Sequence, residues 1–267
     1  MGYTKLTYRF FNSTEYEFHY AGKYGAKGEK RAPRQKQTPE QQKIVNQRLK
    51  GRKMRRIIKA NFFPNDIWAT LKYPKGLRKP LDEVKKDFKK FRERMRSAYK
   101  KMGEEFKYVY RMEIGKKGGI HIHILINRSR SRPDTEVLIQ NMWTEGRANY
   151  QNIYESGGYK DLAEYIVKLP DEEVMKQLSF FEPKEQKEFI KYSCSRNLIR
   201  PEPERRECKH WTLRKLIAEG PKPKPGYYIE KSSYEYGINP YTGMSYLRYT
   251  EVRINEIGRD DPGGKHG

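Results

Sequence analysis

The sequence predicts an α+β protein in which a central antiparallel β-sheet is flanked by helices. Three observations carry that reading. Strand-like runs recur at Asp66–Pro74, Phe106–Ile114, Gly118–Asn127 and Arg147–Tyr154. Helical stretches fall between and after them, at residues 81–101, 134–143 and 159–169. The short segment Gly115-Lys116-Lys117-Gly118-Gly119 is suited to join two of the strands as a tight antiparallel hairpin.

The chain of 267 residues has a formal net charge of +23 and only 35% hydrophobic residues. That imbalance argues against an enzyme of small neutral metabolites acting alone and points to a polyanionic partner, by default nucleic acid. No run approaches the roughly 18 apolar residues that cross a bilayer, and Met1–Phe11 lacks a signal-peptide core. The expected setting is the cytoplasm, without a membrane partner. Two cysteines, Cys194 and Cys208, fit a reducing compartment; with His210 they fall one ligand short of a zinc site.

Taken in order, Tyr3–Tyr20 alternates aromatic and polar residues, as one or two strands or an aromatic arm would. Ala21–Ala60 carries fourteen Lys and Arg against two Glu. Its Gly- and Pro-containing first half reads as a flexible basic arm. Past Thr38-Pro39-Glu40-Gln41, which suits a helix start, Gln42–Ile58 reads as a basic helix. Its Arg48, Lys50, Arg52, Lys53, Arg55 and Arg56 are candidate phosphate contacts. Asp66–Pro74 is a strand ending at Pro74, with Lys72 and Tyr73 at its end as further candidates for the nucleic-acid surface. Leu81, Val84, Phe88, Phe91, Met95 and Ala98 are spaced three or four apart, which makes Leu81–Lys101 an amphipathic helix.

The organising stretch is Gly118–Asn127, with His121 and His123 one residue apart. On a strand both histidines face one side, while Ile120, Ile122 and Ile124 face the other. Two imidazoles rooted about 7 Å apart can converge on one metal ion. Glu113, eight residues before His121 and on the partner strand of the hairpin, offers a third ligand; it is equally readable as an ordinary exposed acid. Two nitrogens and one carboxylate would leave open positions on a divalent ion, the pattern of a catalytic rather than a structural site. Lys116 and Lys117 in the turn are candidate DNA contacts.

Pro133–Trp143 reads as a helix capped at Asp134 or Thr135, with Val137, Ile139, Met142 and Trp143 inward. Arg147–Tyr154 is a strand, and after Glu155-Ser156-Gly157-Gly158 a helix runs from Tyr159 to Leu169, ended by Pro170. Tyr165 and Lys168 sit three apart on it, hence on one face. A phenol needs a neighbouring cation or a polarised substrate to act as a nucleophile at neutral pH, and Lys168 could supply charge. Core packing with a snorkelling lysine is the plainer reading of Tyr-x-x-Lys taken alone.

Three motifs in order, Ala69-Thr70-Leu71-Lys72-Tyr73-Pro74, Glu113 with His121-Ile122-His123, and Tyr165-Ile166-Val167-Lys168, resemble those of rolling-circle replication initiators in the His-hydrophobic-His (HUH) endonuclease superfamily, of the bacterial-plasmid and filamentous-phage-like type. The resemblance covers about Asn61–Glu204, including Ser195-Arg196-Asn197-Leu198. It implies a ferredoxin-like core and Mg²⁺ or Mn²⁺ held by Glu113, His121 and His123. It also implies attack of Tyr165 on a phosphodiester with Lys168 assisting, leaving a 5′-phosphotyrosine and a free 3′-hydroxyl. Many relatives carry a second tyrosine four residues away. Here Asp161 stands four residues before Tyr165, so a single-tyrosine enzyme is expected.

The implied organisation is an aromatic and basic region at 1–60, an endonuclease domain at 61–204 and an extension at 205–267. The implied partners are single-stranded origin DNA, a host helicase and a DNA polymerase. No Gly-x-x-x-x-Gly-Lys-Ser/Thr is present to suggest a fused helicase. A relaxase, a single-tyrosine transposase and a non-enzymatic basic nucleic-acid-binding protein remain open. Further along, Asp171–Arg196 reads as helical and Trp211–Glu219 as a short helix. Tyr227–Glu230 and Met244–Tyr249 read as strands around a turn at Gly237–Pro240, and Asn255–Gly267 as a disordered tail. The tyrosines of this region are read as strand faces or as stacking platforms for bases.

Overall fold

The structure, a computed structural model, describes residues 3–20, 31–154, 156–208 and 213–254. The N-terminal strands β1 (Tyr3–Arg9) and β2 (Ser13–Tyr20) precede helix α1 (Pro39–Asn61). Then follow β3 (Ile67–Lys72), α2 (Leu81–Lys101), β4 (Tyr108–Ile114), β5 (Ile120–Ile126), α3 (Thr135–Met142), β6 (Arg147–Asn152) and α4 (Lys160–Val167). After them come α5 (Glu172–Leu178), α6 (Pro183–Ile190), β7 (Tyr192–Cys194), β8 (Glu204–Cys208), α7 (Leu213–Glu219), β9 (Tyr227–Ile229), β10 (Glu235–Asn239) and β11 (Met244–Arg253). The class is α+β with two antiparallel sheets, as the chain order predicts. These elements form two compact units, one spanning Gln41–Arg200 and the other built from the residues before and after it.

In the Gln41–Arg200 unit the strand order is β6-β3-β5-β4-β7, antiparallel throughout. The β3-α2-β4-β5-α3-β6 order with β3 and β5 central is a ferredoxin-like arrangement. One sheet face carries Ala69, Leu71, Met112, Ile122 and Ile124, packed against Val84, Phe88, Phe91 and Met95 of α2 and Ile139 of α3. Of the apolar positions predicted for α2, Leu81, Val84, Phe88, Phe91 and Met95 are buried, Ala98 is half-buried and Tyr99 completes the buried stripe. On the other face Met54, Ile57 and Ile58 of α1 and Ala163, Ile166 and Val167 of α4 pack on Trp68, Val109 and Leu125. Truncating one such fully buried aromatic as Phe88→Ala costs about 3–5 kcal/mol. The hairpin turn is closed by Gly115 N–H donating to the Gly119 carbonyl at 2.8 Å, with Gly118 at φ 75°.

Three readings of this unit are corrected. Residues 171–196 are not one helix: α5 stops at Leu178, Pro183 starts α6, and Tyr192–Cys194 pairs with β4 as a strand. A proline inside the run cannot donate its backbone hydrogen bond, so it begins a new helix instead. Val137 of α3 is exposed, and Leu138 with Ile139 faces the core. The last helix before Pro170 is shorter than Tyr159–Leu169. It ends at Val167, and Lys168 is an extended cap with ψ 135°. Proline disfavours helical conformation in the residue before it, which unwinds this end.

The other unit is a six-stranded sheet of order β10-β11-β2-β1-β8, with β9 also paired to β11. Tyr3, Tyr16, Phe18, Leu247 and Tyr249 form its core with Leu213 of α7. Gly237–Asn239, read from the sequence as a turn, lies in β10 and pairs with β11. Arg31–Gln35 of the expected flexible arm is tied down: Ala32 N–H donates to the Gly243 carbonyl and Gln35 N–H to that of Pro240. Cys194 and Cys208 are free thiols in β7 and β8, and His210 lies outside the described residues. So do residues 21–30, Glu155, Trp211 and the tail from Asn255.

Candidate active site

The sheet register assembles the site. Glu113 sits opposite His121, and Arg111 opposite His123, across β4 and β5. Thr70 lies beside His123, and Lys72 beside His121, across β3. Alternation therefore puts Trp68, Thr70, Lys72, His121, His123, Arg111 and Glu113 on one face of the sheet. Helix α4 crosses that face and brings Tyr165 onto it.

The contacts are direct. The Tyr165 hydroxyl donates to Glu113 Oε2 at 2.8 Å and lies 3.2 Å from His123 Nε2. His123 Nε2 is 2.9 Å from the same carboxylate oxygen. His123 Nδ1 is 3.1 Å from the Thr70 hydroxyl, which orients the ring. Trp68 stacks on His123 with centroids 5.8 Å apart and meets the Tyr165 ring edge-on at the same separation. Hydrogen bonding from His123, joined by Tyr165, holds the Glu113 carboxyl down to about 2, against the opposing effect of burial. Burial and the Glu113 carboxylate push the Tyr165 phenol well above its ordinary value. The nucleophile candidate is thus kept as a phenol, its proton donated to Glu113 and His123 Nε2 close beside it.

His121 is half-buried, and burial together with the neighbouring Lys72 lowers its imidazole. Its ring fits because residue 115 is glycine: a Cβ there would lie 2.9 Å from His121 Cε1. Among the described residues, no three or more His, Cys, Asp or Glu side chains are placed together to hold a metal ion. By chemistry the donor set still suits a divalent cation, since Glu113 and His123 bring an oxygen and a nitrogen to one point and His121 shares their face.

The remaining predicted residues divide. Lys168 is exposed past the end of α4, so the one-face relation to Tyr165 expected of a continuous helix does not apply. Lys72 is half-buried on the site face, and Lys116 and Lys117 are exposed in the turn. Tyr73 is on the opposite face, its ring against Trp143 and its hydroxyl donating to Asp87 at 3.0 Å. On α1, Arg48, Lys50 and Lys53 are exposed, while Arg52, Arg55 and Arg56 are half-buried.

Sequence reasoning missed Trp68, Thr70 and Arg111. The parity of β3 could have found the first two, since they fall in step with Lys72. Arg111 is 3% exposed and donates to the carbonyls of Tyr165 at 2.7 Å and Lys168 at 2.9 Å, so it caps the C-terminus of α4. Arg78 was missed as well; it donates to the Lys117 carbonyl at 2.7 Å and adds positive charge near His121.

Fold and site together define a ferredoxin-like unit with a tyrosine, a histidine and a carboxylate converging on the sheet face that α1 and α4 cross. Residues 66–170 match the family model described as replication-associated protein ORF2/G2P, a span that contains Glu113, both histidines, Tyr165 and Lys168. That likeness supports a Rep-type replication protein. Comparison with curated proteins finds no match, and comparison with solved structures finds none. Among the described residues no helix is long and apolar enough to cross a membrane.

Proposed function

We propose that this chain is a rolling-circle replication initiator of the HUH type, which nicks and rejoins single-stranded origin DNA through a 5′-phosphotyrosine on Tyr165. The observation that supports it most is the 2.8 Å hydrogen bond from the Tyr165 hydroxyl to Glu113, with His123 Nε2 3.2 Å from that hydroxyl. A phenol that already donates to a carboxylate has an acceptor in place for the proton it must lose.

In this reading Tyr165 Oη attacks phosphorus, forming the tyrosyl ester while the bond to the 3′-oxygen breaks. The phenolic proton passes to the Glu113 carboxylate that already accepts it, and the departing oxygen takes up a proton to become the 3′-hydroxyl that a polymerase extends. The ester keeps the energy of the broken bond, so the reverse attack rejoins ends. Thr70 and Trp68 hold His123, and Arg111 holds the helix end that carries the nucleophile. Glu113, His121 and His123 would hold Mg²⁺ or Mn²⁺, which supplies Lewis-acid polarisation of the phosphate when bound. Lys168, Lys72, Lys116, Lys117 and the exposed face of α1 supply positive charge for the DNA backbone. Strand separation falls to a host helicase.

The test is a nicking assay on single-stranded DNA with Mn²⁺. A covalent protein–DNA adduct forms with the unmodified chain, and His121→Ala loses cleavage but keeps DNA binding. Cleavage that proceeds unchanged in His121→Ala and Glu113→Gln overturns the proposal.

A further inference from the structure

We propose that the cavity beside Tyr165 seats one unpaired nucleobase of the DNA strand, and that Asn149 and Gln151 read its edge. This rests on the reading of the Gln41–Arg200 unit as a single-strand nicking enzyme and adds a specificity site to it. The cavity has a volume of about 620 Å³, and Trp68, Thr70, Asn149, Gln151, Tyr154 and Tyr165 are among its lining. That is ample for a nucleotide, within the usual size of small-ligand sites.

The wall chemistry selects a base. Strand β6 is an edge of its sheet, and its register sets Asn149 beside Thr70 and Gln151 beside Trp68, on the face that carries His123. Both amide residues are exposed, and among the described residues neither side chain has a hydrogen-bond partner. A primary amide offers a donor and an acceptor side by side, the pairing that a base edge presents. Tyr154 is 68% exposed and supplies aromatic surface of the kind that unpaired bases stack on, while the buried Trp68 forms part of the cavity lining.

Asp161, one turn before Tyr165 on α4, also lines the cavity. A carboxylate there repels a phosphate and can accept from an exocyclic amine. Cations gather at the other end of this face: Lys72 and Arg78 are placed to act on His121, and Arg147 of β6 lies beside Lys72. The backbone therefore runs along the histidine side, with a base turned toward β6. Adenine or cytosine, whose exocyclic amine adjoins a ring-nitrogen acceptor on the pairing edge, fits the two amides and the carboxylate better than thymine, which has no amine, or guanine, whose amine adjoins a ring N–H and whose carbonyl would face the carboxylate.

The experiment uses the full chain carrying Tyr165→Phe, so that no cleavage is needed, and a pool of single-stranded DNA with a short randomised stretch. Bound molecules are sequenced. One position should prefer adenine or cytosine by about tenfold, the discrimination of one good paired contact. Adding Asn149→Ala with Gln151→Ala should erase that preference and leave overall affinity within about threefold, since backbone charge supplies most of the binding. Absence of a base preference, a preference unchanged in the double variant, or no binding to the pool overturns the proposal. Adduct formation by the chain with Tyr165 intact is scored on the same pool. Selectivity without an adduct keeps the pocket and removes the nicking reading; an adduct with selectivity indifferent to both amides removes the pocket alone.

Discussion

Arg111 lies beneath Tyr165: its guanidinium is 5.7 Å from the tyrosine ring centroid and donates to the tyrosine's own carbonyl at 2.7 Å. One buried cation from β4 thus fixes the end of α4, two residues along the strand from the carboxylate that accepts the phenol. Helix C-termini carry unsatisfied carbonyls and partial negative charge, and a cation there satisfies both.

Arg111→Met leaves those carbonyls without their donor and should cost about 1–3 kcal/mol of stability, read as a lower thermal midpoint. Nicking should fall more than DNA affinity, because the phenol loses its placement while the exposed basic residues are untouched. Arg111→Lys should restore part of the activity. Equal loss of affinity and rate would show that Arg111 serves the fold alone.

Removing the Glu113 charge should ease ionisation of Tyr165. Its phenol is raised first by burial and then by the carboxylate, so Glu113→Gln should let it titrate at lower pH than in the unmodified chain. Phenolate absorbance, compared with and without Tyr165→Phe, isolates that one tyrosine. The carboxyl itself is depressed to about 2, below its unfolded value near about 4.3. Its contribution to stability is thus present above about pH 4.3 and lost as pH falls toward 2. Acid unfolding of Glu113→Gln should be shallower across that window, and identical acid profiles would contradict this.

Much of this site was legible in the sequence. Alternation alone placed His121 and His123 on one face and their isoleucine neighbours on the other, and the three-and-four spacing of α2 marked its buried stripe. What was not legible depends on register and on how elements cross. Nothing local to Arg111 says that a helix more than fifty residues later will end over it. Nor does the N-terminal hairpin reveal that β2 pairs with β11, more than two hundred residues away. Lys168 illustrates the opposite error: helical spacing was extended through a residue that lies past the end of α4.

Gly115→Ala should disturb His121 selectively. The added methyl would lie 2.9 Å from the imidazole Cε1, so the ring must turn away. Nicking should drop by about tenfold or more with DNA binding retained, as a displacement of about 1 Å at a positioned group often costs more than that. Unchanged nicking would show that the position of His121 is not limiting.

Gly51→Ala should stabilise the protein. Gly51 lies inside α1 where it meets α4, and a Cβ there would make ordinary contacts, 3.8 Å from Glu164 and 3.9 Å from Val167. Replacing a helical glycine by alanine gains about 0.5–1 kcal/mol. A thermal midpoint unchanged or lowered would mean that the two helices pack more tightly than these distances allow.

Mass-spectrometric mapping of the residue that carries nucleotide after reaction with single-stranded DNA and Mn²⁺ tests the central claim most directly. The account predicts the modification on Tyr165 and its loss in Tyr165→Phe. Nucleotide attached to any other residue, or an adduct that persists in that variant, would contradict it.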